Sequence, residues 1–119
     1  MIVVDEFAGQ TVTVLGLGRS GLTAARALAA GHADVHGWDD DDSARAAARN
    51  AGIPTCDPAQ LNWPGMAALV ASPGVPLQHP RAHALVALAR DAGVPIVSDI
   101  ELFARSGQVA AMGGITGTN

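Results

Sequence analysis

A chain of 119 residues is the length of one domain. With 49% hydrophobic residues and a mean hydropathy of +0.25 it is excluded from the disordered class. No uninterrupted apolar run reaches the about 20 residues that a transmembrane helix needs. A net charge of −4, with every basic residue an Arg, excludes the basic stripe of a nucleic-acid binder, and a lone cysteine, Cys56, excludes an internal disulfide.

The chain opens without a basic segment ahead of an apolar stretch, so no secretory leader is expected, and the single cysteine fits a reducing, cytoplasmic setting. Gln10 to Leu15 is β-branched and apolar and predicts a buried strand. Gly16 to Gly21 breaks it. Leu22 to Ala30 then predicts a helix with Leu22, Ala25 and Ala29 on one face and Gly31 as its C-cap. Asp34 to Trp38 reads as a second short strand, followed by the acidic run Asp39 to Asp42. Ser43 is placed to N-cap a helix through about Ala51, ended by Gly52.

The middle is loop-rich, with Pro54, Pro58, Pro64 and Gly65. Met66 to Ala71 predicts a third strand, which Ser72-Pro73-Gly74-Val75-Pro76 ends abruptly. Pro80 suits the first turn of a helix running to about Ala92, with Gly93 after it. Val94 to Val97 reads as a fourth strand. Ser98 and Glu101 are spaced as a capping box opening a helix through about Arg105, and Gln108 to Met112 as a last strand. Strands without strict polar alternation, separated by helices, predict an α/β fold: a Rossmann-like open parallel sheet of about five strands with helices on both faces, over residues 1–112.

Gly16-Leu17-Gly18-Arg19-Ser20-Gly21 matches G-x-G-x-x-G and sits after a strand and at the opening of a helix. The first glycine serves the tight turn, the second lets a ligand approach the backbone, and the third lets helix and sheet pack closely. Free N–H groups at the helix start favour an anion. Asp39, 23 residues beyond Gly16, ends the second strand where an acid would meet a ribose. The motif suits a dinucleotide or another nucleotide diphosphate and does not separate them.

Asp40, Asp41 and Asp42 read as a solvated group at a helix start, where negative charge contributes roughly 0.3–1 kcal/mol. His32, His36, His79 and His83 make no metal-ligand constellation, and His79 and His83 read as surface residues. Cys56 shows no sequence partner for a catalytic role, and Trp38 and Trp63 read as packing residues. Gly114-Ile115-Thr116-Gly117-Thr118-Asn119 looks like the first half of a phosphate loop, which would continue with Gly, Lys and Ser/Thr, so the chain reads as a piece of a longer protein.

Taken in order, G-L-G-R-S-G, A-S-P-G-V from Ala71, S-D-I-E-L-F from Ser98 and G-I-T-G-T-N from Gly114 resemble the N-terminal region of the Mur ligases, over nearly the whole chain. The S-D-I-E-L-F segment points to the branch that adds D-glutamate, ahead of the L-alanine-adding one. The resemblance implies a monomeric, cytoplasmic, three-domain enzyme of peptidoglycan synthesis with no nucleic-acid or membrane partner. With ATP and magnesium it would phosphorylate the carboxylate of UDP-N-acetylmuramoyl-L-alanine, and D-glutamate would then attack the acyl phosphate.

Residues 1–112 would be the UDP-substrate-binding domain, and 113–119 the start of the ATP loop of a central domain. Carried over residue by residue, the resemblance implies the UDP diphosphate on Gly18, Arg19, Ser20 and Gly21, and the uracil beside Asp39 and Asp40. It implies a substrate-bordering loop at Ser72, Pro73 and Gly74, and ATP contacts from Gly117, Thr118 and Asn119. No catalytic or metal-binding residue falls within the 119. The sequence departs from the family pattern where Asp40 and Asp41 stand in place of a small hydroxyl residue and an Arg. The alternative from a different class is an NAD-binding module of a dehydrogenase or sensor.

Overall fold

A computed structural model describes residues 2–72 and 83–106. Its elements run β1 (Thr11–Leu15), α1 (Arg19–Ala30), β2 (Asp34–Trp38), α2 (Asp42–Asn50), β3 (Ala68–Ala71), α3 (Ala84–Asp91), β4 (Ile96–Ser98) and α4 (Asp99–Arg105). Short 3-10 turns at Pro58–Gln60 and Trp63–Gly65 occupy the proline-rich middle.

The four strands form one parallel sheet in the order β2-β1-β3-β4. β1 and β3 lie inside it. β3 is buried along its whole length and β1 at all but its first residue, which explains their unbroken apolar sequences. The expected fifth strand, 108–112, lies outside the described residues, as do the helical start at Pro80, the loop residues Pro73 and Gly74, and 113–119.

Alternation along β1 divides the core. Val12 and Val14 face α1 and α4, packing with Ala24, Leu28, Val70, Val97, Leu102 and Phe103. Leu15 faces the other way, with Leu69 of β3, with Leu85, Val86 and Ala89 of α3 and with Trp63 and Met66. Helices therefore cover both faces, as the sequence predicts. Each of Leu28, Leu69 and Phe103 is fully buried and stabilises the fold by about 1.5–3 kcal/mol through area removed from water. Two polar groups in the second layer are satisfied within it: Thr13 Oγ1 donates to Met66 Sδ at 3.2 Å, and Trp63 Nε1 donates to the Pro58 carbonyl at 2.9 Å.

Local boundaries differ from the sequence reading in instructive ways. α1 begins at Arg19, three residues earlier than expected, because Gly18 takes the N-cap position, without a capping side chain, and Gly21 fits inside the helix. Asp41, rather than Ser43, caps α2, its carboxylate accepting from the Ser43 N–H at 3.1 Å. α3 is capped by His83. Gly31 does cap α1, but with φ −88; the left-handed residue is His32, at φ 72. The glycine serves space instead, since a Cβ there would lie 1.9 Å from the Val4 carbonyl oxygen.

Candidate functional site

From β1 the chain moves to β2 on one side and then crosses to β3 on the other. The carboxyl ends of β1 and β3 therefore flank a topological switch point, the crevice where open α/β sheets hold ligands. The turn Gly16-Leu17-Gly18 opens there. Gly16 has φ 92, a conformation side chains resist. At Gly21 a Cβ would stand 1.8 Å from the Gly16 carbonyl oxygen and 2.6 Å from Ser72 Oγ, so helix and strand touch backbone to backbone. At Gly18 a Cβ would meet nothing within 4 Å. Gly16 thus serves the tight turn and Gly21 the close packing, while the position over Gly18 is open.

The start of α1 is open. Gly18 offers no side-chain cap, and the first helical bond runs from the Leu22 N–H to the Gly18 carbonyl at 2.8 Å. Arg19 is exposed and Ser20 half-buried beside it. Uncapped N–H groups at the N-terminus of a 12-residue helix suit an anion, and the space above Gly18 is open.

Two contacts brace the turn from neighbouring strands. Asp39, just past β2, accepts from the Leu17 N–H at 2.8 Å and, through its other oxygen, from the Asp41 N–H at 2.9 Å. Ser72, just past β3, donates its hydroxyl to the Gly16 carbonyl at 3.0 Å. Gly18, Arg19, Ser20, Gly21, Asp39 and Ser72 therefore meet at one edge, as the sequence reading requires. Pro73, Gly74, Gly117, Thr118 and Asn119 lie outside the described residues.

The acidic run is more than a solvated group. Asp41 is a cap, and Asp42 pairs with Arg45 one turn on. Asp40 has specific partners: it accepts from Trp38 Nε1 at 3.1 Å and lies 2.8 Å from His83 Nε2. His83 Nδ1 accepts from the Leu85 N–H at 3.1 Å, so Nε2 carries the proton and donates to Asp40. The hydrogen bond from His83, then that from Trp38, holds the Asp40 carboxyl below the usual carboxylate range, against a smaller opposing effect of burial.

The reading of His83 as a simple surface residue is thus corrected: it caps α3 and ties that helix to the end of β2. Arg45 is not singled out by the sequence. Its guanidinium lies 4.6 Å from the centroid of the Trp38 ring and donates to the Asp39 carbonyl. A guanidinium therefore stands at this corner, reached from α2 rather than from the position that Asp41 holds. The i, i+3 spacing from Asp42 was the one local signal for it. Among the described residues no group of three potential metal ligands occurs, and no helix is long and apolar enough to cross a membrane.

No protein-family model matches the chain. Among curated proteins it is 50% identical over 125 residues to the UDP-N-acetylmuramoylalanine–D-glutamate ligase of Phenylobacterium zucineum (strain HLK1). It is 49% identical over 123 residues to that of Rhizobium meliloti (strain 1021), and 50% over 123 residues to that of Bradyrhizobium diazoefficiens. Each match spans the whole chain but only 26–27% of the relative, so the chain covers about a quarter of these relatives' length. Among solved structures, shikimate dehydrogenase from Aquifex aeolicus superposes with a TM-score of 0.58 at 16% identity, over 86% of this chain and 47% of that one, a likeness of fold alone. By sequence, along its whole length, the chain corresponds to the N-terminal region of the UDP-N-acetylmuramoylalanine–D-glutamate ligases.

Proposed function

We propose that this chain is the substrate-binding domain of a cytoplasmic, monomeric ligase that adds D-glutamate to UDP-N-acetylmuramoyl-L-alanine in peptidoglycan synthesis. The observation that carries the reading is the uncapped start of α1 at the switch point, with open space over Gly18, in a chain half identical to such ligases. The UDP diphosphate sits on the N–H groups of Gly18 to Gly21. Asp39 and Asp40 stand beside the uracil, where carboxylate oxygens accept from its N–H or from ribose hydroxyls. Ser72, Pro73 and Gly74 border the substrate.

Residues 1–112 form this domain, and 113–119, with Gly117, Thr118 and Asn119, begin the ATP loop of a central domain. ATP with magnesium acts there in the full enzyme, supplying the phosphoryl group that activates the substrate carboxylate. The lysine and the following hydroxyl that a phosphate loop needs are absent from these 119 residues, so the chain alone takes the UDP moiety and neither holds nor turns over ATP.

Parallel titrations of the chain with UDP-N-acetylmuramoyl-L-alanine, UDP and NAD, followed by calorimetry and NMR, test this reading. A lone helix start gives an anion only about 0.3–2 kcal/mol, and no further domain closes over the ligand. The uridine ligands should therefore bind with Kd on the order of 0.1–1 mM or weaker, roughly −4 to −5.5 kcal/mol or less favourable. Shifts should cluster at Gly18 to Gly21, at Asp39 and Asp40 and at Ser72. Tighter binding of NAD, lost in Asp39→Ala, would replace the ligase reading with that of a dinucleotide module.

A further inference from the structure

Asp40 is exposed, yet its carboxylate is not free to turn. Trp38 Nε1 holds Oδ1 at 3.1 Å and His83 Nε2 holds Oδ2 at 2.8 Å, one donor to each oxygen. An exposed aspartate otherwise samples several rotamers. Both donors are themselves fixed. Arg45 of α2 lies 4.6 Å from the centroid of the Trp38 ring and donates to the Asp39 carbonyl. The His83 side chain is 16% exposed, against 71% for Asp40, and its Nδ1 is committed to the Leu85 N–H at 3.1 Å, which leaves the imidazole one orientation. Three elements, β2, α2 and α3, thus converge on one surface carboxylate. An exposed pair of this kind adds little to stability. Each Asp40 oxygen has a second lone pair, and the exposed side chain leaves these open to a ligand.

The place of this carboxylate gives the arrangement a use. The preceding residue, Asp39, accepts from the Leu17 N–H within the glycine turn, so Asp40 is one residue from a contact with the candidate site. We propose that His83 is a positioning residue for the uridine end of that site: with Trp38 it fixes the Asp40 carboxylate in the orientation that accepts from the nucleoside. This rests on the functional reading above, which sets Asp40 beside the uracil. The donors of a uridine are its ring N–H and its ribose hydroxyls, and an ionised carboxylate is an acceptor only. A carboxylate held before the ligand arrives has no rotamer freedom left to lose on binding. Ordering one side chain costs enough to change affinity by about two- to tenfold, and His83 removes that cost in advance. His83 itself touches no ligand. It acts through Asp40, from a helix that begins 43 residues further along the chain.

His83 has two jobs, and two substitutions separate them. The amide of Asn reaches about as far as Nδ1, so His83→Asn can still cap α3 but falls short of Asp40. The amide of Gln reaches about as far as Nε2, so His83→Gln can still donate to Asp40 while the cap is weakened. UDP is titrated by NMR into wild type, both variants, Asp40→Ala and the double variant Asp40→Ala with His83→Asn, each first shown to be folded by urea denaturation. His83→Asn should weaken UDP about two- to tenfold and let the Asp40 carboxyl titrate nearer its ordinary value in the ligand-free protein. His83→Gln should bind UDP within about twofold of wild type and keep the Asp40 carboxyl low. In the Asp40→Ala background His83→Asn should change UDP affinity no further. A residue that only caps α3 gives the reverse order, with His83→Asn harmless and His83→Gln the damaging change. Unchanged UDP affinity in folded His83→Asn overturns the assignment, as does equal weakening in His83→Gln. A further loss in the double variant also overturns it, and this cycle decides should His83→Gln not fold. Wild type that binds no UDP removes the functional reading and this assignment together, whereas equal binding by wild type and His83→Asn removes this assignment alone.

Discussion

At Gly18 backbone and space make separate demands, and only one is strict. Its φ of −71 suits any residue, while the volume over its α-carbon is open. Gly18→Val should therefore fold, within about 1 kcal/mol of wild type by urea denaturation, yet lose at least tenfold in affinity for UDP-N-acetylmuramoyl-L-alanine by calorimetry. Equal affinities in two folded proteins would remove the diphosphate from this turn. Asp39 is a brace as well as a candidate ligand contact. Asp39→Ala strands the Leu17 N–H and should cost about 1–3 kcal/mol of stability in the absence of any ligand. Asp40 carries a pH dependence. Its folded-state pKa lies below the unfolded one, so its stabilisation is fully present above about pH 4 and is lost as pH falls through the lowered folded value. In His83→Ala the Asp40 carboxyl should titrate closer to the ordinary value by carbon-detected NMR, and the acid limb of stability should become shallower.

Among the elements, the ends of α1 set conformational freedom against close approach. His32 holds the left-handed position that glycine usually takes, and Gly31 holds the one where Val4 crosses. His32→Gly should raise stability by about 0.5–1 kcal/mol, because a left-handed L-residue carries about 1–2 kcal/mol of strain, partly offset by the entropy glycine loses on folding. Gly31→Ala should lower it by about 1–3 kcal/mol through overpacking. Thermal denaturation of both variants checks the pair, and the same sign for both would refute the division of roles. The capping box of α4 was legible because Ser98 and Glu101 are three residues apart, and the Ser98 hydroxyl does accept the Glu101 N–H at 2.9 Å. The cap of α2 was not. Asp39 to Ser43 offers five capping side chains in a row, and the choice falls on Asp41 because Asp39 is drawn to Leu17 and Asp40 to His83 and Trp38.

Among the described residues, two apolar layers share one four-stranded sheet, with Val14 facing one and Leu15 the other. Neither layer retains its wall if the sheet opens. Tryptophan fluorescence, which comes from Trp63 in the second layer and Trp38 packed against it, should therefore be lost at the same urea concentration as the helical circular dichroism dominated by α1. Separate midpoints would show that the layers are independent. The sequence by itself determined the strand–helix alternation, the glycine turn and the acid ending β2. These depend on residue periodicity and on one βαβ unit, whose short right-handed connection leaves little choice of partner for Asp39. The tertiary structure alone decided that His83 reaches Asp40, that Arg45 covers Trp38 and that Cys56 meets His36. Two of these pairs lie 43 and 20 residues apart. They form only because α3 begins beside the carboxyl edge and the chain after α2 returns along β2. Arg45 is nearer in sequence, but its ring contact needs α2 to fold back over the end of β2. No local pattern encodes which elements become neighbours; burying both faces of one sheet does.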